Sequence, residues 1–215
     1  MAELSYPAKT AYQSKEAAET YEEIRFKSLK GRLADKREKE MIGELLSDLL
    51  KGSLVLDLAC GTGRITEFLL SKGYRVWGID ISPEMLKVAQ KRLSSFGELF
   101  NLRQAEAENL PFAGKFFDSA TCIKLLGHIP SKTRVKILQE IKRVTKDPFI
   151  VAYYISGPIV FTKRKIRKFL TGNKALWFPV TKKELQKEIR SAGLKILKEK
   201  RVLRFVSETL LVLLN

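Results

Sequence analysis

The residues best suited to chemistry stand in one short run, 57–63, that combines a carboxylate with two glycines. Gly61 and Gly63 can adopt positive φ and let a ligand approach the backbone closely. The helical pattern that follows offers free N–H groups and a positive dipole end to an anionic group. Asp57 adds a carboxylate, which would repel a pyrophosphate and would bind a cation through charge-assisted hydrogen bonds.

A glycine loop of this kind could hold several nucleotide cofactors, and one missing glycine narrows the choice. The dinucleotide-binding fingerprint needs a third glycine, but Thr66 stands at that position. The loop therefore argues against NAD. A ligand that carries both an ammonium group and a sulfonium group suits Asp57 better, and S-adenosylmethionine carries both.

Two further acidic residues predict the rest of an adenosine site. Asp80 follows the next apolar run, at about the distance beyond Asp57 where an acidic residue binds ribose hydroxyls. Ile81 would then lie against the adenine. Glu106 follows the third apolar run and is placed to accept a hydrogen bond from the adenine amino group.

The alternation of apolar runs with helical periodicity predicts the elements that bring these residues together. Strands are predicted at 54–58, 75–79, 99–104, 117–123, 149–154, 194–197 and 202–214. We expect an α/β, Rossmann-like fold with a seven-stranded, mostly parallel sheet, helices on both faces and a closing antiparallel strand pair. Ligands of such sheets bind at the carboxyl ends of the strands, where the strand order reverses.

Capping residues mark several of the predicted helices. Helices are predicted at 15–30, 34–50, 62–72, 83–95, 131–145 and 182–192. Ser82 followed by Pro83 is typical of an N-cap and a first helical position. Ser131 is predicted to cap the next helix, and Thr181 with Glu184 has the form of a capping box.

The length of 215 residues favours a single domain, 1–215. Its parts are predicted as a helical cap at 1–52, a cofactor-binding core at 53–156, a substrate-side insertion at 157–178 and a C-terminal helix with strands at 179–215. The insertion combines aromatic residues with a basic cluster at 163–168. That mixture suits an apolar or aromatic small molecule with negative charge, and it also suits stacked RNA bases.

Composition sets outer limits on function. The net charge of +16 favours association with polyanions, and a lysine-rich surface is also typical of heat-adapted proteins. The first residues lack the pattern of a signal peptide, and the apolar runs are too short to span a bilayer, so we expect a cytoplasmic protein. The two cysteines and the single histidine are scattered, so no metal site is predicted.

Five segments together resemble the class I S-adenosylmethionine-dependent methyltransferases, and most closely the group that includes ubiquinone- and menaquinone-biosynthesis-like enzymes. They are VLDLACGTGR, GIDISPEML, AEAENLPF, FFDSATCIKLLGHI and WFPVTKKELQKEIRSAGLKIL. They stand in the order of that family over roughly residues 54–197. The resemblance is specific for the cofactor and says little about the methyl acceptor.

The resemblance implies a role for each matching residue. The methionine moiety would be held by Asp57, Ala59 and Gly61, and the ribose would be bound by Asp80. The adenine would be framed by Ile81, Met85, Glu106 and Ala107. Lys124 would border the methyl-transfer cavity. Arg25, with Tyr21 on the same predicted helix, would neutralise the cofactor carboxylate.

The acceptor remains open at this point. A small-molecule acceptor is the first hypothesis, an RNA acceptor (tRNA or rRNA) bound through the basic insertion is the second, and a non-catalytic cofactor-binding regulatory subunit is the third. A hydroxyl acceptor would need a general base, and His128 is the only histidine in the sequence. His128 could equally cap the turn before Pro130.

Overall fold

The computed structural model describes residues 14–16, 18, 20–21, 27–146, 148–155, 178–203 and 208–215. The strands are β1 (Leu54–Leu58), β2 (Arg75–Asp80), β3 (Phe100–Gln104), β4 (Ser119–Cys122), β5 (Phe149–Tyr154), β6 (Ile196–Arg201) and β7 (Thr209–Leu214). The helices are α1 (Leu29–Leu45), α2 (Arg64–Ser71), α3 (Pro83–Leu93), α4 (Ser131–Val144) and α5 (Lys182–Ser191). Single 3-10 segments lie at Ser94–Leu99 and Leu126–His128.

The seven strands form one sheet in the order β3-β2-β1-β4-β5-β7-β6. The strands β1 to β5 pair in parallel, whereas β7 is antiparallel to both β5 and β6. This arrangement confirms the predicted fold class. Because β1 lies between β2 and β4, the strand order reverses there, and the loops that follow these strands separate at the carboxyl edge of the sheet.

Alternating side chains of the strands build a core on each face of the sheet. On one face, Val55 and Ile150 pack with apolar residues of α1, α2 and α3. On the other face, Leu56 and Val151 pack with apolar residues of α4 and α5. The connection between β3 and β4 contains no helix, and Phe117 at its end packs into this second core.

Two predicted helix starts are confirmed by their hydrogen bonds. The Ser82 side chain accepts from the Met85 N–H, with Pro83 as the first residue of α3. At α5 the Thr181 hydroxyl accepts from the Glu184 N–H, and the Glu184 carboxylate accepts from the Thr181 N–H, which completes the capping box.

Other predicted boundaries differ from the structure. Helix α1 spans Leu29–Leu45 rather than 34–50, because Ser28 caps it by accepting from the Gly31 N–H, a signal that the apolar periodicity did not contain. The N-cap of α4 is Pro130, so Ser131 is the first helical residue and not the cap. Strand β6 is Ile196–Arg201 rather than 194–197, since an edge strand tolerates exposed charged residues that hide its apolar pattern.

Parts of the prediction fall outside the described residues. These include nearly all of the insertion at 157–178, with its basic cluster at 163–168, and most of the first predicted helix at 15–30. Among the residues that the structure does describe, no helix has both the length and the apolar character needed to cross a membrane.

Candidate functional site

A cavity opens at the carboxyl edge of the sheet, around the point where β1 separates β2 from β4. Its empty volume is about 1050 Å³, counted out to its open mouth. The loops that follow β1, β2, β3 and β4 all contribute to its lining, together with Tyr21. The cavity therefore lies where ligands of open α/β sheets bind.

The loop after β1 has the backbone shape that the glycines predict. Gly61 has a φ of 56°, and Ala59 reaches nearly the same value, 57°, with a side chain that disfavours it. A Cβ placed at Gly61 would meet no heavy atom within 4 Å. Both residues line the cavity, so the loop presents its backbone to open space that a ligand could fill.

Asp57 lies at the floor of the cavity and is only 2% exposed. Its Oδ2 accepts from the Thr66 hydroxyl at 2.7 Å, and its Oδ1 accepts from the Thr121 hydroxyl at 2.9 Å. Burial raises the pKa of this carboxyl to about 6, and the two hydroxyls only partly oppose the rise. Thr66, which stands where the dinucleotide fingerprint has its third glycine, is therefore a hydrogen-bond partner of Asp57.

Asp80 lies at the end of β2 and lines the same cavity. Its Oδ2 accepts from the Gly61 N–H and its Oδ1 accepts from the Ser82 N–H, both at 2.9 Å. Burial raises the pKa of Asp80, while backbone N–H groups oppose the rise. Each carboxylate oxygen can accept a second hydrogen bond, so the fixed carboxylate can still receive hydroxyl donors of a ribose.

Apolar residues complete this half of the cavity. Ile81, Met85 and Ala107, the residues predicted to frame an adenine, line it, and Ala105 lines it as well. One buried and one half-buried carboxylate, a loop with an open backbone and an apolar wall suit the ammonium, ribose and adenine parts of S-adenosylmethionine. The residues present therefore fit the predicted cofactor.

The half of the cavity that follows β4 has a different composition. Lys124 and His128 line it, and His128 is 4% exposed. Both face the ring of Tyr154: the Lys124 Nζ lies 5.9 Å from the ring centroid, and the His128 ring lies 6.5 Å away in an edge-to-face arrangement. The structure thus brings the predicted base and the predicted cavity lysine together on one aromatic side chain at the end of β5.

A charged cluster beside the cavity was not predicted. Glu38 of α1 is 2% exposed, and its two carboxylate oxygens accept from the Lys124 Nζ at 2.5 Å and from the Arg64 Nη2 at 2.7 Å. Arg64 also pairs with Asp35 of α1, and both Arg64 and Lys124 line the cavity. Nothing in the sequence distinguishes Glu38 from the other charged residues of an amphipathic helix.

A second buried polar group fixes the backbone next to His128. The guanidinium of Arg134 donates to both carboxylate oxygens of Glu188, at 2.8 Å and 2.6 Å, and the Tyr153 hydroxyl donates to Glu188 at 3.1 Å. Arg134 also donates to the Ile129 carbonyl at 2.6 Å. This group therefore connects α4, α5 and β5 to the turn that carries His128.

Three of the predicted cofactor residues are not placed at the cavity. Gly63 and Glu106 are described but are not among the lining residues. A Cβ at Gly63 would lie 3.1 Å from the Ala89 Cβ, so this glycine permits close packing of α2 on α3. Arg25 lies outside the described residues, whereas its predicted neighbour Tyr21 lines the cavity. The roles of Arg25, Gly63 and Glu106 stay predictions.

Comparison with known proteins agrees with this geometry. Residues 55–148 match a family model described as a methyltransferase domain. The Bacillus subtilis protein YqeM is 38% identical over 100 residues, which cover 46% of this chain and 40% of that protein. A ubiquinone biosynthesis O-methyltransferase of Dechloromonas aromatica is 36% identical over 88 residues, which cover 40% of this chain and 38% of that enzyme.

The same fold occurs in a solved structure of magnesium protoporphyrin IX methyltransferase from Synechocystis with bound SAH. The TM-score is 0.78 at 15% identity, over 96% of this chain and 97% of that one. The sequence matches above span about two fifths of each curated relative. Segment 55–148 therefore matches a methyltransferase domain in sequence, and the sheet that carries it has the fold of that solved structure.

Proposed function

We propose that this protein is an enzyme that transfers the methyl group of S-adenosylmethionine to a small-molecule acceptor. The observation that carries the proposal is the two-sided cavity. One side holds the carboxylates Asp57 and Asp80, and the other side, after β4, holds Lys124 and His128. The names of the relatives support a small acceptor, because they concern ubiquinone biosynthesis and magnesium protoporphyrin IX.

The residues that would hold the cofactor follow from the lining of the first half. Asp80 would accept from the ribose hydroxyls, and Ile81, Met85 and Ala107 would enclose the adenine. Asp57 and the backbone around Gly61 would receive the amino-acid end. When bound, S-adenosylmethionine supplies an activated methyl group on a sulfonium, and transfer leaves the uncharged thioether S-adenosylhomocysteine.

The protein itself would align the two reactants, shield them from water and supply a proton acceptor. Tyr21, Leu125 and Ile123 line the cavity and would shield a bound acceptor from water. Alignment of two reactants in one site can contribute several kcal/mol to catalysis. We propose that a ring nitrogen of His128 takes the proton of a hydroxyl acceptor, because this histidine lines the half of the cavity opposite the carboxylates.

Calorimetric titration with S-adenosylmethionine tests the cofactor site. We expect Asp80→Asn to weaken binding at least about tenfold, because one charge-assisted acceptor is lost. Asp118→Asn is the matched control, since Asp118 accepts from the Leu54 N–H and pairs with Lys146, and it does not line the cavity. Unchanged affinity in Asp80→Asn would show that the ribose does not bind there.

Transfer of a labelled methyl group tests the acceptor class. The purified protein is incubated with labelled cofactor and either a panel of small hydroxyl, amine and carbon acceptors or total tRNA and rRNA. We expect label in a small molecule, and a loss of turnover in His128→Ala without loss of cofactor binding when the acceptor is a hydroxyl. Label in RNA, with binding that falls steeply with salt, would favour the RNA hypothesis instead.

A further inference from the structure

We propose that Glu38 adapts the cavity to a positively charged methyl donor by neutralising the two cations that line it. In this view Glu38 is a positioning residue, which acts through Lys124 and Arg64 and does not touch the cofactor. It makes the site bind the sulfonium form in preference to the uncharged thioether product. The inference rests on the proposed use of S-adenosylmethionine.

The geometry gives each oxygen of one carboxylate its own cation. Glu38 Oε1 lies 2.5 Å from the Lys124 Nζ, and Glu38 Oε2 lies 2.7 Å from the Arg64 Nη2. Lys124 follows β4 and Arg64 begins α2, so the two cations stand on opposite sides of the point where the strand order reverses. A single side chain of α1 thus holds a cation from each side of the cavity.

The burial of this cluster makes its charge matter for a ligand. The side chain of Glu38 is 3% exposed and that of Arg64 is 10% exposed, so water screens these groups only weakly. An uncompensated ammonium or guanidinium in the wall would raise the electrostatic potential throughout the cavity. A ligand with an additional positive charge at sulfur would then bind more weakly, while the same ligand without that charge would be affected less.

Glu38 is ionised at neutral pH, as this role requires. Burial opposes its ionisation, but Lys124 and Arg64 outweigh burial and hold the pKa of Glu38 below its usual value. Arg64 has a second carboxylate partner in Asp35, so it keeps a counter-charge when Glu38 is replaced. Replacement of Glu38 therefore changes the charge balance mainly at Lys124, which loses its ion pair with this carboxylate.

The test compares the affinities of the full chain for S-adenosylmethionine and S-adenosylhomocysteine by calorimetry at low salt. We expect Glu38→Gln to weaken binding of the sulfonium about tenfold more than binding of the thioether, the size of one added charge at about 10 Å in a protein environment. Lys124→Gln is expected to shift the ratio in the opposite direction. The double variant Glu38→Gln/Lys124→Gln removes one charge of each sign and is expected to restore the ratio.

Glu40→Gln is the matched control on the same helix. Glu40 pairs with Arg37 on the surface, where its side chain is 41% exposed, so the ratio of the two affinities is expected to stay unchanged. Lys124→Gln leaves Glu38 paired with Arg64, and this variant carries the test alone if Glu38→Gln does not fold.

Two different failures can be separated. Equal changes for the two ligands in Glu38→Gln and an unchanged ratio in Lys124→Gln would overturn the electrostatic role and leave only a structural one. Binding of neither ligand by the wild-type chain would instead overturn the proposed function and this inference with it.

Discussion

The two sides of the cavity are held in different ways. On the β1–β3 side, Asp80 is fixed by backbone N–H groups of Gly61 and Ser82, no more than 19 positions away in the sequence. On the side after β4, Lys124 is fixed by Glu38, which lies 86 positions away in the sequence. The turn after His128 is fixed by Arg134, and Arg134 is held by Glu188, 54 positions further along the chain.

This difference separates Asp80, which is held mainly by local backbone contacts, from Lys124 and His128, whose positions depend on distant elements. Backbone N–H groups donate whatever side chain they carry, so the position of Asp80 follows from the turns around it. Asp57 on the same side adds one distant contact, since it accepts from the Thr121 hydroxyl of β4. The side after β4 depends on buried side-chain pairs, which are costly when one partner is lost. We therefore expect substitutions that support the β4 side to cost more stability than comparable changes in the glycine loop.

The largest loss is expected when Arg134 is replaced. Arg134→Met leaves the buried carboxylate of Glu188 without its ion-pair partner and should reduce the free energy of unfolding by about 3–5 kcal/mol. Urea unfolding measures this. Lys136→Met is the control on the exposed face of the same helix and should change stability by less than about 0.5 kcal/mol. Equal effects would show that the buried group does not hold this side together.

Asp57 should give the β1–β3 side a distinctive pH dependence. Since folding raises the pKa of Asp57 from 3.8 to about 6, its contribution to stability is full below about pH 4 and is lost as the pH rises through 6. The rise corresponds to about 3 kcal/mol. Asp57→Asn should therefore gain stability relative to wild type between pH 4 and 7, in urea unfolding at each pH. A difference independent of pH would contradict the raised pKa.

Two glycines allow a direct comparison of the sides. A Cβ at Gly127 would lie 2.0 Å from the Tyr154 Cδ2, so Gly127→Ala should cost about 1–3 kcal/mol through overpacking. A Cβ at Gly61 would meet no atom within 4 Å, so Gly61→Ala should lower the free energy of unfolding by about 1 kcal/mol, because of the positive φ alone. Thermal unfolding of both variants measures the difference, and a larger loss at Gly61 would reverse the comparison.

The smallest expected effect is a gain. Ala59 has a φ of 57°, a conformation that costs an alanine more than a glycine. Ala59→Gly should raise the free energy of unfolding by about 0.5–1 kcal/mol, because relief of strain exceeds the added freedom of the unfolded chain. Denaturant unfolding detects the change, and a destabilised variant would show that the Ala59 methyl group makes packing contacts that outweigh its strain.

Much of the fold could be predicted from the sequence because its signals are local. The strands at 54–58 and 149–154 and the caps Ser82 and Thr181 agree with the structure to the residue. The apolar runs are short, bounded by turn residues and buried on both faces, so periodicity alone marks them. The predicted range of the edge strand β6 was wrong because the strand carries charged residues, which hide the apolar pattern typical of a strand.

The sequence by itself determined which residues of the predicted cofactor site stand at the carboxyl edge of the sheet. Asp57, Gly61 and Asp80 each stand at a strand end, and parallel strands bring their carboxyl ends to one edge whatever the remaining packing is. The resemblance that these positions carry agrees with the match of residues 55–148 to a methyltransferase-domain model and with the fold of the solved methyltransferase.

Only the tertiary structure decided what surrounds Lys124 and His128. Glu38 reaches Lys124 because α1 packs on the sheet through its apolar residues, which sets the position of the helix along and around its axis. Gly127 must be glycine because Tyr154 of the neighbouring strand lies against it. A contact between distant residues depends on the distance and rotation between packed elements, and hydrophobic periodicity gives only the face that is buried.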